Sequence, residues 1–191
     1  MTKGTLDAIC VYCGSRFGTD PQFKTAAETV GKTIAEAGLG MVFGGGTQGL
    51  MGASASAARD SGAKVLGIIP QFLMEQEGLL DGIDHEIVET MHERKIKMFE
   101  ACDAFCVLPG GIGTLEEMVE VMSWSSLALH RKPIVLVNVD GYWDPFIELI
   151  DHVCDGGFAY PGLRHSLTII TDPADIVTAS REAMGRSIEK V

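Results

Sequence analysis

Positive charge is scarce in this sequence. Only 15 Lys and Arg face 26 Asp and Glu across 191 residues, a formal net charge of −11. Phosphate backbones are bound by basic faces, so the balance argues against a nucleic-acid partner. Any anionic ligand must be held by a local cationic cluster, and Arg94-Lys95 is the obvious candidate. No apolar run approaches the roughly 20 residues of a membrane span. The first residues, Met1 to Asp7, are polar and lead directly into an apolar run, without the pattern of a secretory signal. The five cysteines are an odd number and mostly lie in apolar runs, as expected of reduced thiols. These features lead us to expect a cytoplasmic protein with no membrane association.

Several chemistries are also missing. Cys10-Val-Tyr-Cys13 spells C-x-x-C but lies inside a strand-like run, with no second pair and no nearby histidine. Zinc or redox function is therefore not expected, and neither is any other metal site. The five histidines are scattered, and His85-Glu-Ile-Val-Glu89 is not H-E-x-x-H. No G-x-S-x-G elbow marks a serine hydrolase. Glycines 44–46 are followed neither by the Gly-Lys-Ser/Thr of a Walker loop nor by the dinucleotide fingerprint.

What is present is alternation. Apolar residues make up 46% of the chain and glycine is plentiful, as in a globular α/β protein. Strand-like runs at 8–13, 40–43, 64–69, 85–89, 104–108, 133–139 and 167–170 alternate with helical patterns. Those helices are expected over 21–37, 50–61, 91–102, 114–130 and 143–154, with a last one from Pro173. Residues 72–84 read as an irregular stretch carrying Glu75, Glu77 and Gly78, of the length that often forms a functional loop. Continuous apolar strands alternating with helices imply a doubly wound, Rossmann-like α/β fold. It would be a mostly parallel sheet with helices on both faces. With no linker or repeat in view, residues 1–191 are expected to form one domain.

In such sheets ligands bind at the carboxyl ends of the strands. Gly14-Ser15, Gly44 to Gly46 and Pro109 to Gly113 all fall at that edge. The strongest signal is Ala104-Phe-Cys-Val-Leu-Pro-Gly-Gly-Ile-Gly-Thr-Leu-Glu-Glu117: a buried strand, a glycine turn and a helix start. Glycines let backbone N–H groups come close to an anion, and a helix start adds unpaired N–H donors and a favourable dipole. The segment reads as a phosphate seat with a carboxylate one turn into the helix. Adjacent helical residues point about 100° apart, so at most one of Glu116 and Glu117 can face the pocket. Simple complementarity with the helix dipole would also explain both glutamates. Met91-His-Glu-Arg-Lys95 places cations where a helix dipole disfavours them, which suggests an anionic partner.

The combination Pro109-Gly-Gly-Ile-Gly-Thr-Leu-Glu-Glu117, Gly44-Gly-Gly…Gly49-Leu-Met-Gly52 and Met91-His-Glu-Arg-Lys95 resembles the LOG ("lonely guy") family of cytokinin riboside 5′-monophosphate phosphoribohydrolases. Trp124, Lys132-Pro133 and Gly141-Tyr142-Trp143-Asp144 look similar as well, and the resemblance runs from Val11 to about Gly156. It implies hydrolysis of the N-glycosidic bond of an adenosine 5′-monophosphate, N6-substituted or not, to free base and ribose 5-phosphate. It also implies that Arg94 and Glu117 are catalytic and that the protein is a homodimer with its pocket near the interface. No cofactor is expected. Substrate contacts are expected from Ser15, Gly45, Lys95, Gly110, Gly111, Ile112, Gly113, Thr114, Leu115 and Glu116. Proteins of this kind are often labelled lysine decarboxylases, a label that implies pyridoxal phosphate, yet no residue here identifies a Schiff-base lysine or a pyridinium partner. Two other readings stay open: a general nucleotide 5′-monophosphate nucleosidase, and a non-catalytic carrier of a nucleotide or molybdenum cofactor.

Overall fold

A computed structural model describes residues 5–184. Its strands are β1 (Ala8–Tyr12), β2 (Gly40–Phe43), β3 (Val65–Pro70), β4 (Asp84–Val88), β5 (Ala104–Val107), β6 (Ile134–Val137) and β7 (Leu167–Ile170). Its helices are α1 (Pro21–Glu36), α2 (Gly49–Asp60), α3 (Gln71–Glu77), α4 (Met91–Glu100), α5 (Ile112–Ser126), α6 (Asp144–Asp155) and α7 (Ile176–Ala183). The strands form one sheet in the order β4-β3-β2-β1-β5-β6-β7, and every pairing is parallel. This is the expected doubly wound architecture.

Strand periodicity builds the two faces. Ile9 and Val11 point to one side of the sheet, where they meet α1, α2 and α7. Cys10 and Tyr12 point to the other, against α4, α5 and α6. Helix α1 begins where the Asp20 carboxylate accepts the Gln22 N–H at 2.8 Å and Pro21 takes the first turn. It stops at Gly38, whose φ of +71° closes a Schellman turn with Leu39 N–H on the Ile34 carbonyl. Small residues let α1 and α2 touch through their backbones. A side chain at Gly31 would collide with the Ser54 carbonyl.

The structure differs from expectation in two places. Residues 71–77 are helical, not irregular. None of the α3 side chains is fully buried, so the segment carries no apolar face to betray a helix. Helix α5 ends at Ser126 rather than continuing to His130. Ala128 takes a left-handed φ of +58°, and Leu129 N–H returns to the Trp124 carbonyl. A helix stop that uses alanine instead of glycine leaves no mark in the sequence. Among the described residues no helix is long and apolar enough to cross a membrane.

Candidate active site

Strand β1 lies between β2 and β5, so the chain order reverses at its carboxyl end. Three turns meet there. Gly14 N–H donates to the Pro109 carbonyl at 3.0 Å, and the Gly14 carbonyl accepts from Leu50 and Met51 at the start of α2, at 3.0 and 3.3 Å. One residue after β1 thus ties the turn after β5 to the turn after β2. The approach is close enough to need glycine: a Cβ on Gly110 would meet Gly14 N at 2.9 Å and run into the Thr114 side chain.

Helix α5 starts here with Gly111 as its N-cap and no side-chain cap. The first N–H of α5 engaged with the preceding turn is that of Leu115, on the Gly111 carbonyl. The N–H groups of Ile112, Gly113 and Thr114 are therefore first-turn donors without an intrahelical acceptor. A Cβ on Gly111 or Gly113 would touch nothing within 4 Å, so the turn is open on that side. Thr114 is buried, while the Ile112 side chain is 84% exposed.

The charged residues sort by helical phase. Glu117 is buried on α5, and its neighbour Glu116 is exposed. Arg94 is buried on α4 and places Nη1 3.5 Å from Glu117 Oε1. Its Nε donates to the carbonyl of Ile68, within β3, at 3.2 Å. Its Nη2 packs on Gly44, where a side chain would collide with it. Helix α4 starts with a cap in which the Thr90 hydroxyl accepts from Glu93 N–H and the Glu93 carboxylate accepts from Glu89 N–H, each at 3.1 Å. Burial pushes the Glu117 carboxyl up to about 7, against the opposing pull of the Arg94 guanidinium. A carboxyl poised there can give or take a proton near neutrality.

Lys95 turns away from this pair. Its amine reaches Glu116 at 2.5 Å and Glu120 at 2.9 Å, stapling α4 to α5. Leu115 packs into the core below. Gly45 is buried with a φ of +82°, where a Cβ would meet Ile69 at 2.9 Å. Ser15 is exposed beside the turn of Gly14. The structure thus groups Gly110 to Thr114 with Glu117 and Arg94. It pairs Lys95 instead with Glu116 and Glu120 between α4 and α5, where the Lys95 side chain is mostly buried and Glu116 is half exposed.

One nearby carboxylate comes from the 72–84 stretch expected to form a functional loop. Glu77 ends α3 with Oε2 against Gly46, and the Thr47 hydroxyl donates to the Glu77 carbonyl at 2.8 Å. The sequence shows Glu77-Gly78 but not that α3 folds back over the glycine turn. A groove of about 580 Å³ between α1 and α2 reaches Thr47 and Gly49. It is lined by none of Arg94, Glu117 or the turn of Gly110, and lies off the site.

Buried Cys13 is no nucleophile here, because burial pushes its thiol up to about 12 and the Glu117 charge adds to that. The residues also do not fit pyridoxal phosphate. Lys95 is the lysine beside the seat. Burial pulls its amine down, but the bonds to Glu116 and Glu120 outweigh this and hold it above the ordinary lysine value. A Schiff base needs the opposite, a neutral amine. Lys97 is bound to Glu86 and Glu93. Lys132, just before β6, donates to the Phe99 carbonyl at the opposite sheet edge.

A family profile described as "Possible lysine decarboxylase" matches residues 51–180. The cytokinin riboside 5′-monophosphate phosphoribohydrolase LOG of Oryza sativa subsp. japonica is 46% identical over 175 residues, 91% of this chain and 72% of that protein. LOG7 of Arabidopsis thaliana, with the same activity in its name, is 41% identical over 182 residues, 95% of this chain and 84% of that protein. Among solved structures, the molybdenum cofactor carrier protein of Chlamydomonas reinhardtii superposes with a TM-score of 0.70 at 18% identity, over 95% of this chain and all of that one. That likeness is one of fold. With its glycine turn, its buried Arg94–Glu117 pair and relatives above 40% identity along nearly its whole length, the chain belongs to the LOG family of cytokinin riboside 5′-monophosphate phosphoribohydrolases.

Proposed function

We propose that the protein hydrolyses the N-glycosidic bond of adenosine 5′-monophosphates, with N6-substituted adenine as the preferred base. The observation that carries this reading is the buried Arg94–Glu117 pair at 3.5 Å, set beside a helix start with free N–H groups.

The 5′-phosphate sits on the N–H groups of Gly111, Ile112, Gly113 and Thr114, with the dipole of α5 behind it. Anchoring this non-reacting group uses its binding to position the ribose. Cleavage breaks the bond from C1′ to the base nitrogen and develops oxocarbenium character on the sugar, which the Glu117 carboxylate stabilises. The same carboxylate orients the attacking water. The water oxygen becomes the C1′ hydroxyl, one of its protons ends on the departing base, and the products are free base and ribose 5-phosphate. Arg94 opposes burial and so keeps a large fraction of Glu117 ionised near pH 7, about half of it. Glu77, over Gly46, adds an acceptor for a ribose hydroxyl or an exocyclic amine.

We read the whole chain as one cytoplasmic nucleotide-binding domain that works as a homodimer. The apolar surface that supports pairing is on and just after α5: Ile112, Val119, Leu127 and Leu129 are all exposed. This face adjoins the glycine turn, so pairing would place the partner beside the site.

The test is base release from AMP and from N6-isopentenyl-AMP, separated by chromatography. Faster release from the isopentenyl nucleotide is expected. Equal or faster cleavage of AMP would replace this reading with general nucleotide turnover. Binding without any base release would replace it with a carrier.

A further inference from the structure

Tyr142 lies beyond β6, outside the glycine turn and the Arg94 segment, yet its hydroxyl reaches the backbone of that turn from behind. Oη donates to the Gly110 carbonyl at 2.6 Å. The tyrosine is firmly held. Its ring meets Phe23 of α1 edge-on at 5.3 Å and Trp143 at 4.9 Å. Its N–H donates to the Val139 carbonyl at 3.0 Å. The following Trp143 N–H donates to Asn138 Oδ1 at 2.8 Å, and Asn138 Nδ2 to Asp144 at 2.7 Å. The approach to Tyr142 passes through two left-handed residues, Asp140 and Gly141 at φ +48° and +72°.

The Gly110–Gly111 peptide is trans, so its carbonyl and its N–H point in opposite directions. Holding the Gly110 carbonyl on Tyr142 therefore aims the Gly111 N–H away from Tyr142. A peptide between two glycines has little steric resistance to rotation. If it turned over, a carbonyl oxygen would face the anion in place of a donor. From this geometry we infer that Tyr142 is a positioning residue for the 5′-phosphate. Its hydroxyl locks the Gly110–Gly111 peptide with the N–H facing the seat. The inference rests on the phosphate seat of the proposed function, but not on the hydrolytic step.

The test is Tyr142→Phe, which keeps both ring contacts and removes only the hydroxyl. Binding of ribose 5-phosphate and of free adenine is measured by calorimetry, alongside steady-state kinetics with the better nucleotide substrate. Ribose 5-phosphate binding should weaken about three- to tenfold, the effect of one hydrogen bond. KM should rise by the same factor, with kcat changed less than about twofold, since the remaining N–H donors of the α5 start still anchor the phosphate and position the ribose. Adenine binding should not change. Unchanged ribose 5-phosphate binding, or an equal loss for adenine, would overturn the role of Tyr142. A wild-type protein that binds ribose 5-phosphate without releasing base would refute the hydrolysis and leave the Tyr142 comparison intact. A wild-type protein that binds no ribose 5-phosphate would remove the phosphate seat and the role of Tyr142 together.

Discussion

Arg94 and Glu117 face each other from two helices, Nη1 to Oε1 at 3.5 Å, with both side chains about nine-tenths buried. Each ion is costly to bury alone and acceptable only opposite the other. The pair is therefore a sensitive place to test the proposed chemistry.

Replacing Glu117 by Gln keeps the shape and removes the charge. Nucleotide affinity should stay within a few-fold of wild type, while kcat falls by about a hundredfold to ten-thousandfold. Retained turnover would exclude the carboxylate from the reaction.

The pH dependence follows from the raised carboxyl of Glu117, about 7 in the fold against an ordinary 4.5. If the ionised form is needed, kcat/KM should be half-maximal near pH 7 and fall about tenfold per unit below it. The stability effect has the opposite sense. The folded protein holds this proton more tightly than the unfolded chain does. The resulting stabilisation is complete below pH 4.5 and is lost as pH rises to 7, by about 3 kcal/mol. Denaturant titrations across this window should show that slope in wild type and lack it in Glu117→Gln.

Arg94→Ala removes the charge that opposes burial of Glu117. Turnover should be lost, and an unaffected rate would take Arg94 out of the mechanism. The charge-dependent part of the stability cost should be small near pH 5, where Glu117 is protonated, and rise to at most about 1.4 kcal/mol at pH 8, where Glu117 without Arg94 takes up a proton instead of staying ionised. A cost that is the same at both values would mean that the two residues are not coupled.

Gly44→Ala tests the seat of the guanidinium. The new methyl group would occupy the position of Arg94 Nη2, the far end of a flexible side chain, and the backbone there has no left-handed φ. The variant should still fold, at a cost of about 1–3 kcal/mol for the overpacked methyl group. Its turnover should drop at least about tenfold as Arg94 is displaced. Wild-type kinetics in a folded Gly44→Ala protein would show that the position of Arg94 is not critical.

The proposed homodimer makes a separate prediction. Val119→Glu puts a charge into the exposed apolar face of α5, and sedimentation should shift from dimer to monomer. A dimer that survives this change would place the interface elsewhere.

Much of this protein is legible without coordinates because the signals are local. A strand, a glycine turn and a helix start follow one another within Ala104 to Glu117, and the sheet edge follows from the alternation of elements. What is local was also where sequence reading failed when the usual markers were missing: α3 buries no side chain fully, and α5 is stopped by Ala128 rather than glycine.

Local pattern alone specified a parallel sheet wrapped on both faces, a glycine turn leading into a helix start, and at most one inward glutamate of two. Those are consequences of periodicity, of glycine and of helix ends. Only the tertiary structure decided which charges meet. Arg94 and Lys95 are neighbours in sequence, but about 100° apart around α4, and packing against α5 and β3 brings Arg94 to Glu117 and Gly44 and Lys95 to Glu116 and Glu120. Tyr142 and Glu77 reach the glycine turns from separate elements. Such contacts depend on packing between segments distant in the chain, which no local pattern encodes.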